Sequence, residues 1–147
     1  MITREGGCFC GAVRYRVEGE PVDAGYCHCR MCQRSVGAPV VAWGTWRRKR
    51  FVWLSPEPAT LRSSARAARR FCSACGTQLL FWGEDAPQVV DVNLATLDDP
   101  AAIRPGHHIW IMSRIPWFDT ADSLPRYHDV GADERGLRLG DDPPAQV

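Results

Sequence analysis

Seven cysteines stand in three tight groups, Cys8-Phe9-Cys10, Cys27-His28-Cys29-Arg30-Met31-Cys32 and Cys72-Ser73-Ala74-Cys75. Thiolates at such spacing are ligands for zinc, a tetrahedral ion that favours sulfur in structural sites. The odd count does not suit a closed disulfide framework, and cysteines serving only as small core residues would be scattered. The turn Cys72-Ser73-Ala74-Cys75, followed by Gly76, fits a zinc knuckle. In an extended strand alternate side chains share a face, so Cys8 and Cys10 are expected to point together while Phe9 points away. One pair from each region gives Cys8, Cys10, Cys72 and Cys75 as a closed four-thiolate site, structural because every coordination position is filled.

Cys27, Cys29 and Cys32 remain. The first two share a face by the same alternation, and Cys32 returns one turn after Cys29. Three protein ligands with one exchangeable position is the arrangement of a catalytic zinc. His28 should project away from its flanking cysteines. His107 or His108 could arrive from a distant loop and close the set as a structural Cys3His site, so an open and a closed reading both stand. An open zinc with three thiolates carries a net charge of about −1 and suits a soft sulfur ligand, which it holds deprotonated. The chemistry indicated is that of a thiol substrate, with two zinc ions per chain.

The elements that would position these residues read mainly as short strands. Ala12 to Val17 alternates with period two, Pro39 to Trp43 and Phe51 to Leu54 flank a basic turn at Arg47-Arg48-Lys49-Arg50, and Ala68 to Phe71 and Gln78 to Trp82 flank the last cysteine pair. Val89 to Leu94 places Val90, Val92 and Leu94 on one face, and His108 to Met112 is a further strand. Cys29 to Val36 is expected to form one or two helical turns stopped by Gly37. No segment keeps helical apolar spacing for more than about two turns. The fold class is therefore mainly β, with antiparallel pairing.

At 147 residues the chain suits one domain, expected over residues 1–128, and the polar sequence of residues 129–147 is expected to be a loosely ordered tail. A net charge of +1 argues for neither nucleic acid nor an anionic membrane surface as partner. No apolar stretch is long enough to span a bilayer, and the opening residues have no secretory character, so the expected location is cytoplasmic. In that reducing compartment clustered cysteines are metal-binding or catalytic.

The segments Gly6-Gly7-Cys8-Phe9-Cys10-Gly11-Ala12-Val13-Arg14-Tyr15, Cys27-His28-Cys29-Arg30-Met31-Cys32-Gln33 and Phe71-Cys72-Ser73-Ala74-Cys75-Gly76-Thr77 resemble the glutathione-dependent formaldehyde-activating enzyme family, kin to the centromere protein V domain. The resemblance runs from about Gly6 to Tyr127 and includes Leu97-Asp98-Asp99-Pro100 and His107-His108-Ile109-Trp110. It implies several small antiparallel sheets around two zinc sites, an Mss4-like fold. It also implies that Cys8, Cys10, Cys72 and Cys75 hold the structural zinc and Cys27, Cys29 and Cys32 the catalytic one. The implied activity is that of a carbon–sulfur lyase, forming S-(hydroxymethyl)glutathione from glutathione and formaldehyde.

Such a thiol carries two carboxylates, for which basic residues are candidates. Arg34, two positions from Cys32, is the first of them, ahead of the run Arg47 to Arg50 and of Arg66, Arg69 and Arg70. His107 and His108 are open to a proton-transfer role or a purely structural one. Two rival classes remain: a binding module in which both metals are structural, and a thiol redox protein using a Cys-x-x-Cys pair, which lacks the expected thioredoxin-like β/α pattern.

Overall fold

The computed structural model describes residues 1–130; the expected polar tail lies, from residue 131 on, outside the described residues. Ten strands form two sheets. Strands β1 (Thr3–Gly7), β2 (Arg14–Glu18) and β5 (Phe51–Trp53) make a three-stranded antiparallel sheet in the order β1-β2-β5. The second sheet comprises β3 (Asp23–Cys27), β4 (Val41–Arg47), β6 (Ala59–Ser64), β7 (Ala67–Phe71), β8 (Gln78–Gly83), β9 (Val89–Asn93) and β10 (His108–Ile109). Its order is β10-β3-β4-β9-β8-β7-β6, with β10 parallel to β3 and the other pairs antiparallel. The fold is thus mostly β, as expected, although the seven-stranded sheet is larger than the small sheets anticipated. Among the described residues a single short α-helix, α1 (Arg30–Val36), ends at Gly37, whose left-handed backbone (φ 67) lets its N–H reach the Gln33 carbonyl.

The core lies between the two sheets. Tyr15 and Val17, on alternate positions of β2, are fully buried against Trp46, Leu80, Val90 and Val92 of the larger sheet. Tyr15 stacks on Phe51 at 5.5 Å, and Trp53 meets it edge-on at 6.3 Å. The absent side chain of Gly6 makes room for the Tyr15 ring end, so the hydroxyl can reach Thr96 Oγ1 at 2.8 Å.

Burial pushes the Tyr15 phenol up to about 12. Because its folded value lies above the unfolded value near 10, this contribution is complete below pH 10. It is lost as pH rises through 12 and amounts to about 3 kcal/mol. Wild type is expected to lose stability over that range in thermal melts, whereas Tyr15→Phe should show a flatter alkaline limb.

Direct cross-strand partners share a face. One register row runs Asp23–Thr45–Asp91–Phe81–Arg69 from β3 to β7, on the face opposite Ala24, Val92 and Leu80. This second face carries Cys27, Trp43 and buried polar groups: Thr45, which donates its hydroxyl to Asp91, Asp23 and Arg69.

Candidate metal centres

Cys8, Cys10, Cys72 and Cys75 converge, with all four sulfurs within 4.8 Å of one another. The Cys8 and Cys10 sulfurs are 3.5 Å apart and those of Cys10 and Cys72 3.8 Å. Two ligands on a tetrahedral zinc at ordinary Zn–S lengths sit about 3.8 Å apart, so the group fits such an ion. The local geometry differs from the expected strand alternation. β1 stops at Gly7, and Cys8 to Cys10 form a turn closed by Gly11 N–H on the Cys8 carbonyl at 3.1 Å, with Gly11 at φ 80. The second pair sits on a matching turn, in which Gly76 (φ 80) donates to the Cys72 carbonyl at 2.8 Å. Val13 N–H points at Cys8 Sγ (3.2 Å), and the Thr77 hydroxyl lies 3.2 Å from Cys75 Sγ. Thr77 brings the Cys75 thiol down to about 5. Hydrogen-bond donors aimed at sulfur favour its ionised form, the form that binds metal.

Cys27, Cys29 and Cys32 form the second group. Cys27 ends β3, and Cys29 keeps an extended backbone (φ −65, ψ 149) as the N-cap of α1, its sulfur accepting from Cys32 N–H at 3.3 Å. The neighbouring Cys27 and Cys32 thiols hold the Cys29 thiol well below its ordinary range, while the same contacts and burial push Cys27 up. Three sulfur atoms within 4.8 Å of one another form a donor set that fits a thiophilic divalent ion. Among the described residues no histidine or carboxylate joins these three sulfurs.

The histidines go elsewhere. His107 lies 3.7 Å from Asp23 and meets the Trp43 ring edge-on at 5.5 Å. His28 and His108, both buried, share a 2.9 Å hydrogen bond, and His108 Nε2 lies 3.0 Å from Asp122. The carboxylate only accepts, so a neutral His108 donates from Nε2 and accepts at Nδ1 from His28. That leaves His28 Nδ1 as a buried lone pair with no partner among the described residues. Burial pushes His28 down to about 4, which keeps it neutral near pH 7.

Gln33, buried on α1, ties the three-cysteine segment down. The two N–H groups of its side-chain amide point at the carbonyl of His28 (2.7 Å) and are shared with those of Pro39 and Ser113 (both 3.2 Å). Gln33→Leu is expected to cost about 2–3 kcal/mol and lower Tm by roughly 5–10 °C, because two buried N–H donors are removed from a cluster of carbonyls. Thermal denaturation checks this.

A family model for the glutathione-dependent formaldehyde-activating enzymes matches residues 3–113. This chain belongs to that family. All seven cysteines lie inside the matched span, and Asp122 lies beyond it. An uncharacterized lyase of Schizosaccharomyces pombe is 32% identical over 81 residues, covering 55% of this chain; the chain spans 58% of that relative's length. A crystal structure of a Rhodobacter sphaeroides protein superposes with a TM-score of 0.56 at 26% identity, covering 69% of this chain and 91% of that one.

Two further features separate this family member's centres from its remaining surface. A cavity of about 400 Å³ opens beside Asp23, Arg104 and His107, at the end of β3 away from Cys27, and no cysteine lines it. Several basic residues are paired: Arg50 with Glu18, Arg62 with Glu84, Arg66 with Asp85 and Arg70 with Glu57. Arg34 is exposed in the last turn of α1. The basic side chain that reaches the three-cysteine group is instead Arg69, with Nη2 3.7 Å from Cys32 Sγ. Sequence alone does not separate Arg69 from Arg70, because only the register with Phe81 assigns Arg69 to the cysteine-bearing face. No helix among the described residues is long and apolar enough to cross a membrane.

Proposed function

We propose that this protein is a zinc-dependent carbon–sulfur lyase acting between a small-molecule thiol, glutathione or a relative, and a small aldehyde such as formaldehyde. The reaction centre is Cys27, Cys29 and Cys32; Cys8, Cys10, Cys72 and Cys75 hold a second, structural zinc. The observation that carries this reading is the convergence of three sulfurs that no histidine or carboxylate joins among the described residues. A zinc ion held by these sulfurs would supply a Lewis-acidic position that favours a thiol in its deprotonated form.

In the synthetic direction the thiol loses its proton, sulfur donates a pair to the carbonyl carbon, the C=O π bond opens and the oxygen takes up a proton. The product is a hemithioacetal, and the lyase direction is its reversal. The chain's own residues hold the centre in place for this. Gln33 clamps the His28 carbonyl between two of the cysteines, and the His28–His108–Asp122 chain anchors the opposite face. Residues 1–128 are the unit that carries this function. A cytoplasmic setting belongs to the same reading, since both the unpaired cysteines and a thiol substrate require a reducing compartment.

The uncatalysed addition is itself spontaneous, so the test is exchange. Carbon-13-labelled formaldehyde and glutathione are mixed with zinc-loaded protein, and interconversion of free aldehyde and adduct is followed by NMR. Exchange accelerated by wild type and by no more than background in Cys29→Ser supports the assignment; exchange at the background rate with wild type overturns it.

A further inference from the structure

We propose that Arg69 is the counter-charge of the three-cysteine centre and that it makes this centre prefer an anionic ligand to a neutral one; the second half rests on the thiol reading above. Arg69 is only 7% exposed. Burying a guanidinium is costly unless a negative partner meets it. Its neighbours on the same β6–β7 hairpin, Arg62, Arg66 and Arg70, each have a carboxylate. Arg69 enters none of the ion pairs among the described residues, and Asp91, two strands away in its register row, takes the Thr45 hydroxyl.

What Arg69 does meet is sulfur. Its Nη2 reaches Cys32 Sγ at 3.7 Å, and its guanidinium lies over the Phe81 ring, 5.1 Å from the centroid. A neutral thiol is a poor reason to bury a cation, whereas a thiolate is a sufficient one. Three thiolates around a divalent ion leave one negative charge, which Arg69 cancels. With Arg69 present, an arriving thiolate brings the ensemble to −1; without it the same ligand would have to join a centre already at −1. β7 lies four strands from β3 in the sheet order, so a residue remote in sequence sets the charge at a centre built by the β3–α1 segment.

The test uses full-length protein carrying cobalt(II) in both centres, with Arg69→Met, which keeps the apolar stem, and Arg69→Lys, which keeps the charge. Metal transfer to a chelator should show two phases. In Arg69→Met the faster phase accelerates by about tenfold while the slower phase, from the four-cysteine centre, is unchanged and reports an intact fold. Arg69→Lys should recover most of the difference, which a merely space-filling role would not give. Titration with 2-mercaptoethanol, which has no carboxylate, and with glutathione should show both weakened by about tenfold in Arg69→Met. Unchanged release and unchanged affinities overturn the proposal. Weakening confined to glutathione also overturns it, because Arg69 would then be a carboxylate receptor. If wild type ligates neither thiol yet Arg69→Met still sheds metal faster, the thiol reading falls and the counter-charge role stands. Should Arg69→Met lose both metals, Arg69→Gln repeats the same comparison with a polar, neutral terminus.

Discussion

Cys72→Ser is expected to empty the four-cysteine centre and unfold the protein. Cys72 is 1% exposed and packs in the core cluster beside Cys8 and Val13. Its partner Cys10 is 62 residues away, so the centre ties the end of β1 to the turn between β7 and β8. Neither turn has much apolar surface of its own: Phe9, at the tip of the first, is 94% exposed. A structural zinc contributes about 10–16 kcal/mol to small domains, comparable with a domain's whole stability of roughly 5–15 kcal/mol. Thermal melts of the variant should show no cooperative transition, with both metals lost on purification. A folded Cys72→Ser protein with wild-type Tm would show that packing alone suffices.

Cys29→Ser should behave in the opposite way. Metal content falls from two ions to one, the fold is retained, and exchange between aldehyde and adduct drops to the uncatalysed rate. The physical reason is positional. Cys29 caps α1, a role that serine fills at least as well, and it is partly exposed rather than built into the core. The stability change should stay within about 1–2 kcal/mol, read from Tm in metal-replete buffer. The pair of variants separates a centre that holds the fold from one that the fold holds. Global unfolding of Cys29→Ser would make the central cysteines structural and remove the distinction.

Much of this is legible in the amino-acid sequence where chemistry and period coincide. Both cysteine groups follow from spacing, because two tight pairs and a triplet leave few ways to share sulfur. Strands β2 and β9 show their alternation, β5, β7 and β8 are legible as short strands beside turns, and Gly37 marks the end of α1. β1 is not legible: Thr3-Arg4-Glu5-Gly6-Gly7 has no apolar period and is a strand because β2 pairs with it and Tyr15 needs the space at Gly6. β3 and β6 are hidden for similar reasons, one by small and polar residues, the other by exposure. Cys8 and Cys10 converge through a turn beyond the end of β1, which Gly11 closes with a left-handed backbone. The expected strand over His108 to Met112 stops after two residues, where Trp110 turns left-handed (φ 57). Arg34 and Arg69 show the limit most clearly. Nearness in sequence favours Arg34, but α1 leaves it exposed, and a register set by long-range pairing delivers Arg69.

In the proposed function one sulfur-lined centre is complete and the other accepts a substrate thiol. Glutathione titrated into full-length protein carrying cobalt(II) in both centres tests it directly, because the visible absorption of the ion reports its ligands. The account requires a spectral change that saturates with one glutathione per chain in wild type and is missing from Cys29→Ser. A wild-type spectrum unmoved by millimolar glutathione would contradict it.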